Sequence, residues 1–514
     1  MSNARTHARN LAANWTGHAA SLGVMFFLSP FIVHTLGPVE YGIWSLMIIV
    51  TGYLGILDLG IRASTGRHIA LYLGREDHRA VDSTVRTSLG VIAAASAAML
   101  AAGVVLGFAF PRIFPDTPAR YHDLVKVLLP LLALGMGTSA LGAAFSSVLA
   151  AHERFVPLQA VGLAVLGLRT AGTVVLLLGG YGIVGLTVLT VACNVVALLG
   201  NGLLAKRVYP ALRIWPLEFS RPRLKELFGY GTAAFISGIS YRVIHQTGLI
   251  VVGLLIGVAS VTTYSIAGML VLYTWGFIEL ISRTVFPSLQ RAAGRGEEGA
   301  VQWLYLRQAR VVFAAGVPVY VGFIAFGDRF IRLWMGPEFA PAAVVLAILS
   351  AARLYSLLEM PAWAVLAATG HVWTNVALAA AEAALNLALA VLFVMVFGWG
   401  LAGVAAGTLV ALVVTSGTFI PVLACHWSRL RMWRLAHETV LPAVVTAGLF
   451  GAWCWAVRNW IPGDTWPLFA AQVGLALAGY APVCLLALVP LPDRQRLLGV
   501  LRARLAGLGS EPGK

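Results

Sequence analysis

The sequence predicts an all-α polytopic membrane protein of about 14 transmembrane helices. These form two parallel six-helix lobes around a central cavity, with two further helices after the second lobe. Three observations predict it. Apolar residues make up 59% of the 514 and charged residues only 11%, against about 25% charge in an ordinary soluble domain. Weakly charged apolar stretches of about 20 residues recur from end to end, each long enough to cross about 30 Å of hydrocarbon as a helix. Short motifs also return at a period of roughly 220 residues.

Charge clusters and Gly/Pro punctuation set the spans in order. The first starts near residue 11, after Arg5 and Arg9, and continues to about Thr35. That run is too long for the apolar core of a signal peptide, so it is expected to stay. The second starts near 41 and carries the segment "LGILDLGIRASTGRHIA" at 54–70. Five basic residues in 62–86 precede the third span near 87, and a loop at 111–123 precedes the fourth near 124. Arg154 marks the turn before the fifth near 158, and "GGYG" at 179–182 separates it from the sixth near 182. Six basic residues in 206–225 then lead to spans starting near 227 and 263. Four more in 291–310 precede spans near 311 and 341, divided by the loop 328–340. Spans near 375 and 399 follow, then Arg429, Arg431 and Arg434, and finally spans near 439 and 467. The expected organisation is an N-terminal lobe over 1–215, a C-terminal lobe over 220–428, two extra spans within 429–490, and a polar tail over 491–514.

Charge tests this division, because an even number of spans puts both termini and alternate loops on one side. That side carries 26 of the 36 Arg and Lys residues; the opposite loops carry six, namely Arg112, Arg120, Lys126, Arg329, Arg332 and Arg458. Basic residues are retained on the cytoplasmic side, so both termini are expected there. The net charge of +15 follows from the same rule and does not call for nucleic acid.

The repeat has specific anchors. "VLAA" at 148–151 returns at 365–368, "GYGIVGL" at 180–186 returns as "GWGLAGV" at 398–404, and "DLGIR" at 58–62 returns as "ELISR" at 279–283. Six spans per repeat is an even number, so both halves enter the membrane with the same orientation, as in transporters built of parallel lobes.

"SPFIVHTLGPVEYGIWSL" (29–46), "LDLGIRASTGRHIA" (57–70) and "VLAAHERF" (148–155), with the six-plus-six pattern and two added spans, resemble polysaccharide exporters. These are O-antigen flippases of the multidrug, oligosaccharidyl-lipid and polysaccharide transporter superfamily. The resemblance covers essentially the whole chain. It implies translocation of a polyprenyl-pyrophosphate-linked oligosaccharide from the inner to the outer leaflet by alternating access, for cell-surface polysaccharide synthesis. Membrane lipids, glycosyltransferases and a polysaccharide polymerase are the partners it implies. Lipid II flippases and multidrug or cation exporters share the architecture and are the alternatives.

Ionisable residues within spans cost about 2.5–3.5 kcal/mol each at the centre and therefore mark sites. Asp58 and Glu279 stand near the ends of the second and eighth spans, each followed four residues later by an arginine, Arg62 and Arg283. An i,i+4 acid–base pair shares a helix face and lets a helix end near the headgroups, its arginine snorkelling to the interface. Two such pairs on repeat-related helices could also close an inner gate. Arg169, Arg242 and Arg353 fall near the membrane midplane, with no acid at comparable depth by residue count. Guanidinium stays charged and grips phosphate oxygens two at a time, so these three are the candidate headgroup-phosphate ligands. Glu382, His18 and His245 are candidate ion-coupling groups, since buried acids and histidines can relay protons.

Other chemistries lack their signatures. Cys193, Cys425, Cys454 and Cys484 are scattered singly, so no metal site is expected. The pattern G-x-x-x-x-G-K-[ST] is absent, so no ATP hydrolysis by that route and no cofactor is expected. A membrane polymerase or ligase would need a large outer loop with polar catalytic residues, whereas the loops here are short; no catalytic residue is assigned.

Overall fold

The structure, a computed structural model, describes residues 2–488 and 494; at 2–16, 18, 19, 63, 230–234, 236–238, 240, 241, 243–245 and 283 it describes the backbone alone. Two compact units make up the chain, Met1–Ser265 and Ile266–Lys514. Among the described residues, twelve helices are long and apolar enough to cross a membrane. The chain is a multi-pass membrane protein.

Unit 1 begins with α1 (Ser2–Leu54), whose course is interrupted at Gly37, where φ is 74°. Only glycine adopts that conformation without strain, and Pro38 beyond it lacks an N–H. The first and second expected spans, starting near 11 and 41, therefore lie on either side of this break, and the apolar stretch 20–58 runs across it. After a 3-10 turn at Gly55–Asp58, left-handed Leu59 and Gly60 lead into α2 (Ile61–Gly74). Then come α3 (His78–Ile113), α4 (His122–Ala151), α5 (Phe155–Leu178), α6 (Gly182–Val208) and α7 (Arg221–Leu255). The seventh expected span lies in α7, of which only Gln246–Leu255 forms a described apolar run.

Glycines bring α3, α4 and α6 close. A Cβ on Gly137 would stand 2.7 Å from the Ser96 Cβ, and one on Gly142 would stand 3.3 Å from the Leu198 Cα. Small residues allow this approach in a medium that gives helices no hydrophobic incentive to associate. At the arginine-rich end, Ile61, Ile69, Val81, Val85, Val148 and Leu149 form a buried cluster joining α2, α3 and α4.

α8 (Val258–Arg283) crosses the boundary between the units. Its first two turns belong to unit 1, where the Thr262 hydroxyl donates to the Pro38 carbonyl oxygen at 2.6 Å. The boundary at 265 thus differs from the expected 215–220. α7, expected to open the second lobe, packs on α1, α2 and α3 of unit 1.

Unit 2 continues with α9 (Phe286–Gly294), α10 (Glu298–Trp334), α11 (Ala342–Tyr355), α12 (Glu359–Ala368), α13 (Val372–Met395) and α14 (Gly400–Val414). A π-helical turn at Thr415–Phe419 joins α14 to α15 (Ile420–Trp427). The last helices are α16 (Met432–Leu435), α17 (Leu441–Trp460) and α18 (Trp466–Ala487). Both α17 and α18 pack on α10. Arg458 of α17 forks onto Asp328 of α10, each guanidinium nitrogen 2.7 Å from a carboxylate oxygen.

The internal repeat reappears in these elements. α5 and α13 are both 24 residues long, and the glycines before and at the start of α6, Gly180 and Gly182, take left-handed φ as do Gly398 and Gly400 before α14. The symmetry fails at one place. α4 runs unbroken for 30 residues, whereas its counterpart is split into α11 and α12 by a 3-10 turn at Ser356–Leu358.

Candidate functional site

That break organises a buried polar cluster in unit 2. Arg353 occupies the last turn of α11 and Glu359 the first turn of α12. Each charge faces the helix end of opposite polarity, an arrangement the helix dipole favours. Arg353 is 6% exposed. Its Nη1 lies 3.6 Å from Glu359 Oε2, and its guanidinium carbon sits 4.3 Å above the Trp275 ring. The expectation that no acid reaches the depth of Arg353 is corrected here. Depth counted residue by residue misses that the two long side chains meet across the 3-10 turn at Ser356–Leu358.

Glu382 enters the cluster from α13 at 1% exposure. Its Oε2 accepts from the Thr415 hydroxyl at 2.5 Å and from the Ser416 hydroxyl, both on the π-helical turn. Glu382 Oε1, Glu359 Oε2 and the Tyr320 hydroxyl are buried and make no hydrogen bond among the described residues. Turns of this π type recur at functional positions in helices. Here the turn aims two hydroxyls at one carboxylate. The hydroxyl-rich "TSGT" at 415–418 inside an apolar run was the available sequence signal for these partners.

Two of the three arginines lie in unit 1. Arg242, on α7, lies against α1: a Cβ on Gly52 would stand 3.2 Å from its Nη1, and one on Gly55 would stand 3.1 Å from its Nη2. These glycines, three apart, make room for the guanidinium. The hydroxyl of the intervening Tyr53 bonds the Arg242 carbonyl oxygen at 3.3 Å and the Thr247 hydroxyl at 2.8 Å. Arg169 stands on α5, half-buried, with its Nε buried and without a hydrogen-bond partner among the described residues. α5 and α7 both pack on α1.

Asp58 and Arg62 pair at 2.7 Å, but they do not share one helix face as expected. The chain breaks between them, and the second Asp58 oxygen accepts the Gly60 backbone N–H at 2.9 Å. The carboxylate thus pins the left-handed corner and fastens it to the first turn of α2. Glu279 lies within α8. The side chains of Arg283, the expected partner, and of His18 and His245 lie outside the described residues. Among the described residues, no group of three or more His, Cys, Asp or Glu could hold a metal ion.

A further polar contact ties α2 to α7 at the arginine-rich end. The Tyr72 hydroxyl donates to Glu226 Oε2 at 2.7 Å, Arg223 Nη1 reaches the same oxygen at 2.9 Å, and the guanidinium lies 4.5 Å above the Tyr72 ring. Burial raises the Glu226 carboxyl, but the bonds from Tyr72 and Arg223 outweigh it and hold the group below the usual carboxylate range. A depressed acid contributes stability above its ordinary pKa and loses it as pH falls through the lowered value. Acidification through that range should therefore release α2 from α7. Amide exchange in 61–74 should accelerate there, and Tyr72→Phe should move the onset to higher pH.

The fold and sequence have known counterparts. The putative O-antigen transporter of Shigella flexneri is 22% identical over 414 residues, covering 77% of this chain and 93% of its own length. An inward-facing multidrug resistance MATE family transporter of the MOP superfamily matches with a TM-score of 0.69 at 17% identity, over 82% of this chain and 96% of that one. The lipid II flippase MurJ, in its inward closed conformation, matches with a TM-score of 0.68 at 14% identity, over 93% of this chain and 98% of that one. These likenesses show that the chain shares the fold of those two transporters. Residues 33–344, more than half of the sequence, match the polysaccharide biosynthesis protein family, and the chain belongs to that family.

Proposed function

We propose that this chain is a flippase that carries a polyprenyl-pyrophosphate-linked oligosaccharide from the inner to the outer leaflet of the cytoplasmic membrane by alternating access. The observation that carries the reading is Arg169, a permanently charged side chain on an apolar helix whose buried Nε has no partner among the described residues. A guanidinium at such depth is costly unless an anion reaches it, and pyrophosphate is the anion its planar fork fits. Arg242 is the second proposed headgroup ligand, its guanidinium seated over Gly52 and Gly55. A carrier of cationic drugs would instead be expected to present acids to its cargo.

Arg353 takes a different role in this reading, because Glu359 and Trp275 already engage it. With Glu359 and Glu382 it forms a cluster of two acids and one base, and we assign ion coupling to that cluster. The Asp58–Arg62 pair, which fixes the corner between α1 and α2, is assigned as a hinge of the inner gate. Glycosyltransferases that build the lipid-linked sugar and a polymerase that consumes it are the proposed partners. The test is complementation of a bacterium lacking its O-antigen transporter. Surface polysaccharide should return with the unaltered chain and not with Arg169→Gln or Arg242→Gln expressed at equal level. Full display by both variants would refute the headgroup assignment.

A further inference from the structure

A cavity of about 550 Å³ opens between α3, α4 and α6 in unit 1, walled by Leu89, Leu141, Phe145, Leu199, Leu203 and Ile214. Leu199 and Leu203 are 58% and 66% exposed, so it is open at the side rather than sealed. Its one charged lining residue is Lys206, in the last turn of α6. From Leu198 to Lys206 the wall extends about 12 Å at 1.5 Å per helical residue. The hollow is therefore elongated, apolar along its length and basic at one end.

The segment leading from α6 to α7 roofs that end. Lys206 Nζ donates to the Leu212 carbonyl oxygen at 2.6 Å, and the Arg213 N–H donates to Asp82 Oδ1 at 3.3 Å. Arg86 Nε donates to the Pro216 carbonyl oxygen at 2.6 Å, and its Nη1 pairs with Glu218 at 3.5 Å. These ties to α3 hold Ile214 and Leu217 over the cavity. Trp215 and Phe219 on the same segment are 77% and 59% exposed, as suits side chains at the headgroup level of a bilayer.

We infer that this cavity holds an acyl chain of a resident anionic phospholipid, with its phosphate held by Lys206, Arg207 and Arg213. The medium around an open apolar hollow on a membrane-spanning helix is lipid, so a hydrocarbon chain is what fills it. The sign of the rim selects the headgroup. Lys206 lines the cavity, Arg207 and Arg213 stand next to it and on the following segment, both exposed, Glu218 is matched by Arg86, and Asp82 meets the segment through the Arg213 backbone N–H. Lys206 spends one N–H on Leu212 and keeps two for phosphate oxygens. The lipid completes the packing of the segment that joins the two repeats. This inference stands independently of the transported substrate.

Native mass spectrometry of the full-length protein, extracted from bilayers of equal phosphatidylglycerol and phosphatidylcholine, tests it. The unaltered protein should retain phosphatidylglycerol in preference to phosphatidylcholine. Neutralising Lys206, Arg207 and Arg213 to Gln should weaken phosphatidylglycerol retention about fivefold per charge removed while leaving phosphatidylcholine unchanged. A Cβ on Gly202 would lie 3.7 Å from the Phe145 ring, so Gly202→Leu fills the hollow and should abolish retention. Equal retention of the two lipids, or no loss in the triple variant, would overturn the inference. So would capture of a polyprenyl phosphate in place of the phospholipid. The charge variant decides the matter alone should Gly202→Leu fail to fold.

Discussion

Arg353→Gln is expected to cost unit 2 about 3–5 kcal/mol, the usual penalty for stranding one member of a buried ion pair. Without the guanidinium, Glu359 is left buried without this counter-charge, and the Trp275 face loses its cation. Neutralising Glu359 in the same chain should restore most of the lost stability, because the stranded charge is then removed. Thermal unfolding of the two single variants and the double variant in detergent closes the cycle. Strict additivity would show that Arg353 and Glu359 are not energetically coupled. Transport should be lost in all three, since the double variant recovers the packing and not the titratable acid.

Arg169→Leu should have the opposite signature: a more stable protein that no longer exports. Its guanidinium is held in a span with a buried Nε that makes no hydrogen bond among the described residues, and removing such a charge relieves a desolvation cost. Gains of stability at the expense of activity are characteristic of binding sites. Combined with Arg242→Gln, the change should reduce export at least about 100-fold, if each charged hydrogen bond contributes about 1.5–3 kcal/mol to holding the headgroup. Export and unfolding temperature measured on the same preparation separate this from a structural role, in which stability and export would fall together.

The helical class and the repeat were legible because they rest on hydropathy, on loop charge and on glycines. "GYGIVGL" and "GWGLAGV" mark the same left-handed corner in each unit. The site was legible in residue type but not in partnership. Arg353 was visible as a deep charge, and Pro361, which has no N–H to offer the Leu357 carbonyl, marks the 3-10 turn at Ser356–Leu358, but neither residue type names Glu359 as the partner. The same limit applies at Asp58. The spacing to Arg62 reads as one helix face, and the left-handed Leu59 between them is a conformation that leucine rarely adopts. Nothing in the sequence around Gly52 and Gly55 points to Arg242, far along the chain, as the residue that lies against them. α7 was assigned by counting spans, whereas the contact of Tyr72 with Arg223 and Glu226 draws it to unit 1.

The most direct measurement uses vesicles carrying the purified protein and two labelled substrates, a polyprenyl-pyrophosphate oligosaccharide and the same sugar on a neutral polyprenyl lipid. The account predicts that the pyrophosphate-linked sugar crosses, that the neutral one does not, and that Arg169→Leu with Arg242→Gln reduces crossing to that of empty vesicles. Equal crossing of both lipids, or undiminished crossing through the double variant, would contradict it.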